Sequence, residues 1–189
     1  LAMMDHSGIA KVFDAGETPE GKPFFVMELI RGKPITEFCD RKRLSIRERI
    51  ELFVKVCSAV QHAHQRGVIH RDIKPTNILV SEQDGQYLAK VIDFGLAKAV
   101  QHTSLLTDES LSTEFGQVVG TVQYMSPEQA EINYLAIDTR TDVYSLGVLL
   151  YELLTGTTPL ERESLVNTPL LQVLDAIRSF EPPRPSKRL

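Results

Sequence analysis

Residues 70–77 read HRDIKPTN, and they join a helical pattern to a short apolar run. This stretch places an arginine, a carboxylate, a lysine and an amide within eight residues. Asp and Asn often bond the backbone of their own loop, so by itself the stretch would fit an ordinary polar loop with solvated charges. A second polar triplet, Asp93-Phe94-Gly95, follows at the end of a predicted strand. A third, Ser126-Pro127-Glu128, is preceded by Gly120-Thr121.

The elements upstream of these triplets follow from hydrophobic periodicity. Apolar residues recur at three- and four-residue spacing from Arg47 to Gly67, which predicts a long amphipathic helix. Before it, two apolar runs at 9–15 and 24–29 flank a series of turn formers, which predicts a hairpin. After it, strand-like runs lie at Val68-Ile69, 77–80 and 87–92.

Residues 97–119 are polar and show no hydrophobic periodicity. Sequence features typical of helices follow this segment. A capping box at Ser126-Pro127-Glu128-Gln129 predicts a helix start. The stretch from Val143 to Leu154 is apolar nearly all round, which predicts a buried helix ending at Gly156. Leu170 to Ile177 fits a surface helix. A hairpin-rich piece followed by a mostly helical body makes the fold class α+β.

Composition excludes several classes of partner. Lys and Arg number 21 against 25 Asp and Glu, a net charge of −4, which argues against nucleic acid or an anionic membrane surface. No apolar run approaches about 18 residues, so we expect no membrane span in this chain. Cys39 and Cys57 have no metal-binding spacing and are too few for a disulfide framework, which favours a cytoplasmic location.

The ordered motifs H-R-D-x-K-x-x-N, D-F-G and S-P-E resemble those of eukaryotic-type protein kinases, specifically the serine/threonine branch found in bacteria. Five fixed residues in one loop would arise by chance about once in millions of positions. The resemblance implies a protein-kinase-like α+β fold with a mainly helical large lobe and a partial β small lobe. Residues 1–30 would be a small-lobe remnant with the late hairpin and hinge, and 31–189 a large lobe without its last helices.

The resemblance implies ATP-dependent phosphorylation of Ser and Thr hydroxyls on protein substrates. Phosphoryl transfer mainly requires a protein to position the reactants and to neutralise the charge on the phosphates. Asp72 would orient or accept the substrate's hydroxyl proton, Lys74 would neutralise the transferring group, and Thr121 would bond both. Lys74 also marks the serine/threonine class. Asn77 and Asp93 would hold Mg²⁺, which prefers hard oxygen ligands.

ATP and Mg²⁺ are therefore the expected cofactors, and the resemblance also implies the nucleotide site. Met27 would be the gatekeeper, and the backbone of Glu28 and Ile30 would meet adenine. Leu79 would form the floor under the ring, and Asp93 would hold Mg²⁺ between the phosphates.

Supporting residues are implied in the same way. Asp142 would bond the backbone around His70 and Arg71, although a plain helix N-cap is nearly as good an interpretation of Asp142. The ring of His70 would pack under Phe94. His62 and His64 lie two residues apart, too close in sequence to share a helix face, and receive no role.

The segment from Asp93 to Glu128 would be the activation segment. Its middle, residues 97–119, would be a site of autophosphorylation, because a phosphate there could pair with Arg71 and order the segment. The candidate acceptors are Thr103, Ser104, Thr107, Ser110, Ser112 and Thr113.

The chain contains no Gly-rich loop and no V-A-I-K-type lysine, and both ends look cut. We therefore expect a longer parent, with any membrane anchor outside these residues, and little or no turnover by this chain alone. A non-catalytic kinase-like binding module is the alternative, but it predicts damage at Asp72, Asn77 or Asp93, and all three are intact. A small-molecule phosphotransferase is less consistent with Lys74-Pro75 and the long activation segment.

Overall fold

The computed structural model describes residues 5–94, 122–131, 137–161, 165 and 168–188. The predicted hairpin is confirmed: strand β1 (Val12–Glu17) pairs with β2 (Pro23–Met27) in antiparallel register. Its turn is closed by the Thr18 carbonyl, which accepts from Gly21 N–H at 2.9 Å. Gly21 has a φ of 76°, a left-handed conformation that glycine adopts at no steric cost.

A second sheet has three antiparallel strands. Its order is β3 (Lys33–Pro34), β4 (Ile78–Gln83) and β5 (Gln86–Val91). The β4–β5 turn is Asp84-Gly85, and both residues have positive φ, as a tight hairpin of this twist requires. A parallel bridge between Ile9 and Val91 joins the start of the chain to this sheet.

The helices hold more of the described residues than the strands do. Helix α1 spans Ile35–Arg41, α2 spans Ile46–His64, α3 spans Thr139–Thr155 and α4 spans Leu170–Ser179. Short 3₁₀ turns lie at Pro75–Asn77 and Pro185–Lys187. Among the helices within the described ranges, none is both long enough and apolar enough to cross a bilayer.

The strand predicted at Val68-Ile69 is wrong. Gly67, with a φ of 72°, donates to the His64 carbonyl, and Val68 N–H donates to the Ala63 carbonyl. These two bonds form a Schellman motif, in which a left-handed glycine satisfies the last carbonyls of α2. The apolar pair therefore belongs to the end of a helix and not to a sheet.

Helix α3 differs from its prediction in two details. Val143 is 61% exposed, so the helix has one open side and is not buried all round. Its N-cap is Asp138, whose side chain accepts from Arg140 N–H, so the N-cap interpretation of Asp142 is wrong. The predicted end is confirmed, because Gly156 adopts a φ of 80° after the last turn.

The predicted helix start at Ser126 is confirmed only in its capping bonds. Ser126 N–H donates to Gln129 Oε1 at 3.1 Å, and Gln129 N–H donates to Ser126 Oγ at 3.4 Å. The bonded turn reaches Ala130 without continuing as a regular helix through the described residues.

The main core lies between α2, α3 and the three-stranded sheet. Leu52 and Val56 from α2 and Leu149 from α3 are at most 2% exposed, and the sheet contributes Val80 and Val91. Each such side chain stabilises the fold by about 1.5–3 kcal/mol when fully buried. Ile73, in the middle of residues 70–77, is part of this core, so the loop that carries the charged residues is anchored on it.

Candidate active site

The loop between α2 and β4 contains a backbone conformation that needs external support. Arg71 has a φ of 66°, in the left-handed region that side chains other than glycine rarely adopt. Such a conformation costs about 1–3 kcal/mol and persists only where the surroundings hold it. Arg71 directly precedes Asp72, so its conformation sets the direction of that carboxylate.

Asp142 on α3 supplies part of this support. Its Oδ2 accepts from His70 N–H and its Oδ1 from Arg71 N–H, each at 2.8 Å. The carboxylate is fully buried, and Oδ2 also lies 2.7 Å from Nε2 of His64. The predicted bonds to the loop backbone are confirmed. The role of His64 escaped the sequence analysis, although a buried carboxylate next to the loop implies a further polar partner.

The ring of His70 connects the loop to β5. Its Nε2 donates to the Ile92 carbonyl at 2.9 Å, while Nδ1 accepts from Asp72 N–H at 3.2 Å. Burial lowers the pKa of His70, which favours the neutral ring that this pair of bonds requires. The ring lies 4.7 Å from that of Phe94, centroid to centroid, so the predicted packing is confirmed.

Three of the predicted catalytic residues meet at one carboxylate. Lys74 Nζ lies 3.0 Å from Asp72 Oδ2, and Asn77 Nδ2 lies 3.2 Å from the same oxygen. Asn77 Nδ2 also donates to the Asp72 carbonyl at 2.8 Å. The side chains of Asp72 and Lys74 are each 22% exposed, so a substrate can reach them although most water is excluded.

Asn77 and Asp93 lie on adjoining backbone. Ile92 N–H donates to the Asn77 carbonyl at 2.9 Å, which fixes the start of the D-F-G triplet against the end of the loop. Asp93 is exposed and has a φ of 57°. Since the amide nitrogen of Asn77 donates to Asp72, its Oδ1 is the side-chain atom that could accept a cation.

This donor set fits Mg²⁺. In the described part of the chain, no group of three or more His, Cys, Asp or Glu side chains forms a metal cage. Mg²⁺ is commonly held by one or two protein oxygens, with substrate phosphates and water completing its shell. An amide oxygen and a carboxylate therefore suit a magnesium ion that arrives with a nucleotide.

The predicted hinge begins where β2 ends at Met27. Glu28 N–H donates to the Lys11 carbonyl at 2.8 Å. The carboxylate of Glu28 accepts hydrogen bonds from Lys90 Nζ at 2.6 and 2.7 Å, which joins the hinge to strand β5. The Lys90 ammonium holds the pKa of Glu28 below its usual value. Lys90 lies 62 residues away in sequence, and the sequence analysis did not identify it.

The structure also describes the other residues that are predicted to bind the nucleotide. Ile30 is half-buried in the predicted hinge, and Leu79 is half-buried in β4, where it pairs with Pro34 and Lys90 in the strand register. Thr121 and the proposed acceptor segment 97–119 lie outside the described residues.

Residues 122–130 are anchored on α3. Thr141 Oγ1 donates to Glu128 Oε1 at 2.7 Å, which attaches Glu128 to the first turn of α3. Ser145 Oγ donates to the Tyr124 carbonyl at 2.7 Å, and Tyr124 Oη donates to Glu152. The segment that ends at Glu128 is therefore attached to the helix that also supports the catalytic loop.

Comparisons with known proteins agree with this geometry. A family model described as the protein kinase domain matches residues 1–187. The chain is 38% identical over 191 residues to the serine/threonine-protein kinase PknB of Mycolicibacterium smegmatis, covering 99% of this chain and 28% of that protein. It is 39% identical over 170 residues to PknB of Mycobacterium tuberculosis (strain H37Rv), covering 88% of this chain and 26% of that protein. The chain thus spans about a quarter of the length of these curated relatives.

A solved structure shows the same fold. The kinase domain of Mycobacterium tuberculosis PknI, crystallised as a double mutant, superposes with a TM-score of 0.67 at 24% identity. The match covers 99% of this chain and 60% of that one. The predicted kinase-like α+β fold is confirmed. This chain belongs to the protein kinase domain family, and its curated relatives are bacterial serine/threonine kinases.

Proposed function

We propose that this chain carries the catalytic loop and metal ligands of an enzyme that transfers the γ-phosphoryl group of ATP to Ser and Thr hydroxyls of proteins. The observation that carries the proposal is the cluster at Asp72, whose carboxylate lies 3.0 Å from Lys74 Nζ and 3.2 Å from Asn77 Nδ2. A carboxylate held between a cation and an amide, and still accessible, suits a group that must orient a hydroxyl.

Asp72 and Lys74 have complementary roles in this proposal. The carboxylate of Asp72 accepts a hydrogen bond from the substrate hydroxyl and takes its proton as the new bond forms. The ammonium of Lys74 stabilises the negative charge on the transferring phosphoryl oxygens. Because both side chains are only 22% exposed, their charges are screened less than they would be in open water.

Asn77 and Asp93 supply the metal ligands through Oδ1 and the carboxylate. Mg²⁺, when bound with ATP, supplies charge neutralisation on the phosphates. Asn77 has two tasks, since the same side chain donates to the Asp72 backbone and carboxylate. Met27, Glu28, Ile30 and Leu79 form the adenine side, with the hinge backbone of Glu28 and Ile30 as the polar contacts.

The protein substrate and its regulation belong to the same proposal. A lysine at position 74 is typical of kinases that phosphorylate Ser and Thr. Thr121 would bond both Asp72 and Lys74. Phosphorylation of residues 97–119 by the kinase itself would supply a charged partner for Arg71. ATP as a substrate, together with two free cysteines, favours a cytoplasmic location for these residues, with any membrane anchor elsewhere in the parent protein.

A transfer assay tests the proposal. The full protein is incubated with γ-labelled ATP, Mg²⁺ and a generic Ser- and Thr-containing protein, and the labelled amino acids are identified after hydrolysis. We expect phosphoserine and phosphothreonine. ATP binding without transfer would support the non-catalytic binding module instead, and label only on small molecules would support a small-molecule phosphotransferase.

The isolated 189-residue chain provides a second comparison. It contains no Gly-rich loop and no lysine in a V-A-I-K context. Since both groups position the phosphates in kinases, we expect this chain alone to give little or no turnover. Robust transfer by the isolated chain would contradict that part of the proposal.

A further inference from the structure

Side chains hold every polar backbone group on the two residues at the centre of the catalytic loop. Arg71 and Asp72 together present two N–H groups and two carbonyls, and each of the four bonds a side chain from another position. The partners are Asp142 Oδ1 for Arg71 N–H at 2.8 Å, Gln129 Nε2 for the Arg71 carbonyl at 2.8 Å, His70 Nδ1 for Asp72 N–H at 3.2 Å, and Asn77 Nδ2 for the Asp72 carbonyl at 2.8 Å.

Gln129 differs from the other partners in where it lies. His70 and Asn77 belong to the loop itself, and Asp142 belongs to α3. Gln129 follows Ser126-Pro127-Glu128 and so lies directly after the predicted activation segment. Its bond crosses 58 residues of sequence to reach the loop.

The side chain of Gln129 uses both ends of its amide. Oε1 accepts from Ser126 N–H at 3.1 Å and completes the capping box, while Nε2 donates to the Arg71 carbonyl. Either Glu or Gln can complete a capping box, because only an acceptor is needed. The bond to Arg71 needs a donor as well, and Gln supplies both where ionised Glu supplies only an acceptor.

We propose that Gln129 is a positioning residue that transmits the ordered state of the Ser126–Ala130 turn to the Asp72 carboxylate. It acts through the Arg71 carbonyl, and the inference rests on the proposed phosphoryl transfer. When the turn is formed, Gln129 holds the Arg71–Asp72 peptide in one orientation. When the turn opens, that peptide keeps only the bond from the Asp72 N–H to His70 Nδ1 and can rotate more easily.

The strained backbone explains why this bond matters for catalysis. Arg71 sits at a φ of 66°, a conformation that relaxes when its supports are removed. Rotation of the peptide between Arg71 and Asp72 moves the carboxylate relative to the substrate hydroxyl. A displacement of about 1 Å at a reacting group can cost about 100-fold in rate.

Two substitutions separate the two functions of the side chain. Gln129→Glu keeps the acceptor for Ser126 N–H and loses the donor to Arg71. Gln129→Met has similar length and no charge, and it loses both bonds. Gln123→Glu is the matched control, because Gln123 Nε2 also anchors this segment, through Thr158 Oγ1 at 2.9 Å and the Leu160 carbonyl at 3.2 Å, but away from the loop.

The variants are compared in the full protein by steady-state transfer kinetics and by amide hydrogen exchange. We expect both Gln129 variants to lower kcat by about tenfold or more while the KM for ATP changes by less than about twofold. Amide hydrogen exchange at residues 71–73 should be faster in both Gln129 variants than in the wild type. At Ser126 it should be faster only in Gln129→Met. Gln123→Glu should leave exchange at residues 71–73 unchanged.

Wild-type kcat and wild-type exchange at residues 71–73 in Gln129→Glu would overturn the inference. Faster exchange at 71–73 in Gln123→Glu would also overturn it, because a general loosening of the segment would then explain the effect. If the wild-type protein transfers no phosphate, the proposed function fails. The exchange comparison then decides by itself whether Gln129 orders the loop.

Discussion

Nε2 of His64, in the last turn of α2, lies 2.7 Å from Oδ2 of Asp142 on α3. The same carboxylate accepts from the backbone N–H groups of His70 and Arg71. One fully buried side chain therefore joins two core helices and the catalytic loop. The position of Asp72 therefore depends on this junction as well as on the loop's own sequence.

Removing the His64 partner should destabilise the fold. In His64→Leu the buried Asp142 carboxylate keeps its two backbone donors and loses the third contact, which costs about 1–3 kcal/mol. His64→Gln, which retains a donor, should lose less. His62→Leu is a suitable control because the Nε2 of His62 has no hydrogen-bond partner among the described residues. Urea unfolding measures the differences, and a His64→Leu variant as stable as His62→Leu would refute this role.

The proposed metal ligands, Asn77 and Asp93, should control the magnesium requirement. Loss of a residue that merely supports a metal ligand costs about 10–100-fold in metal affinity, so Asp93→Asn should raise the Mg²⁺ concentration for half-maximal transfer by at least about tenfold. Asn77→Asp should keep a metal ligand and lose the donor to Asp72, so kcat falls more than magnesium affinity does. The measurement is a magnesium titration of transfer rate at saturating ATP. An unchanged titration for Asp93→Asn would exclude Asp93 as a ligand.

The ion pair between Glu28 and Lys90 should couple the hinge to β5. A double-mutant cycle with Lys90→Met and Glu28→Gln should give an interaction energy of about 0.5–3 kcal/mol in unfolding measurements. Lys90→Arg should retain most of the wild-type stability, since it retains the charge. We also expect Lys90→Met to raise the KM for ATP several-fold more than it lowers kcat. Additive single mutations would show that the two residues are not coupled.

Glu152 should make stability depend on pH. Burial raises its pKa, outweighing the hydrogen bond from Tyr124, so the folded protein binds a proton at Glu152 at pH values where the unfolded chain has released it. The stabilising contribution of this group is complete below its unfolded pKa of 4.5 and declines as pH rises through the folded pKa.

Glu152→Gln keeps an acceptor for Tyr124 and cannot ionise. The variant should therefore be more stable than the wild type at about pH 7.5, and the difference should shrink as pH falls toward the unfolded pKa of 4.5. Urea unfolding of both proteins at several pH values measures this difference directly. A difference that does not vary with pH would show that Glu152 has an ordinary pKa.

Short-range patterns predicted most of the secondary-structure elements. The hairpin, α2, α3 and α4 follow from periodicity and end signals that are local in the chain, and Asp72, Lys74 and Asn77 lie in one loop. The supporting roles of His64 and Gln129 were missed because their partners are remote: His64 and Asp142 are 78 residues apart, and Gln129 and Arg71 are 58 apart. The spacing of residues along the chain does not indicate contacts between residues so far apart in sequence.

The errors at Val68-Ile69 and Val143 have physical causes of the same kind. An apolar pair after a helix can belong to a strand or to a Schellman end, and only the backbone bonds of Gly67 and Val68 distinguish the two. An apolar helix can be covered on all sides or can leave one side open, and only the tertiary packing shows that Val143 is exposed.

The Asp72 carboxylate is proposed to orient the substrate hydroxyl and to take its proton during phosphoryl transfer. The most direct measurement is single-turnover transfer of the γ-phosphoryl group by the full protein, its Asp72→Asn variant and an Asp84→Asn control. Asp84 is exposed in the β4–β5 turn, at a positive φ that Asn also tolerates. We expect Asp72→Asn to slow transfer by about 10²–10⁴-fold with nearly unchanged ATP affinity, and Asp84→Asn to match the wild type. Transfer by Asp72→Asn at the wild-type rate would contradict the assignment.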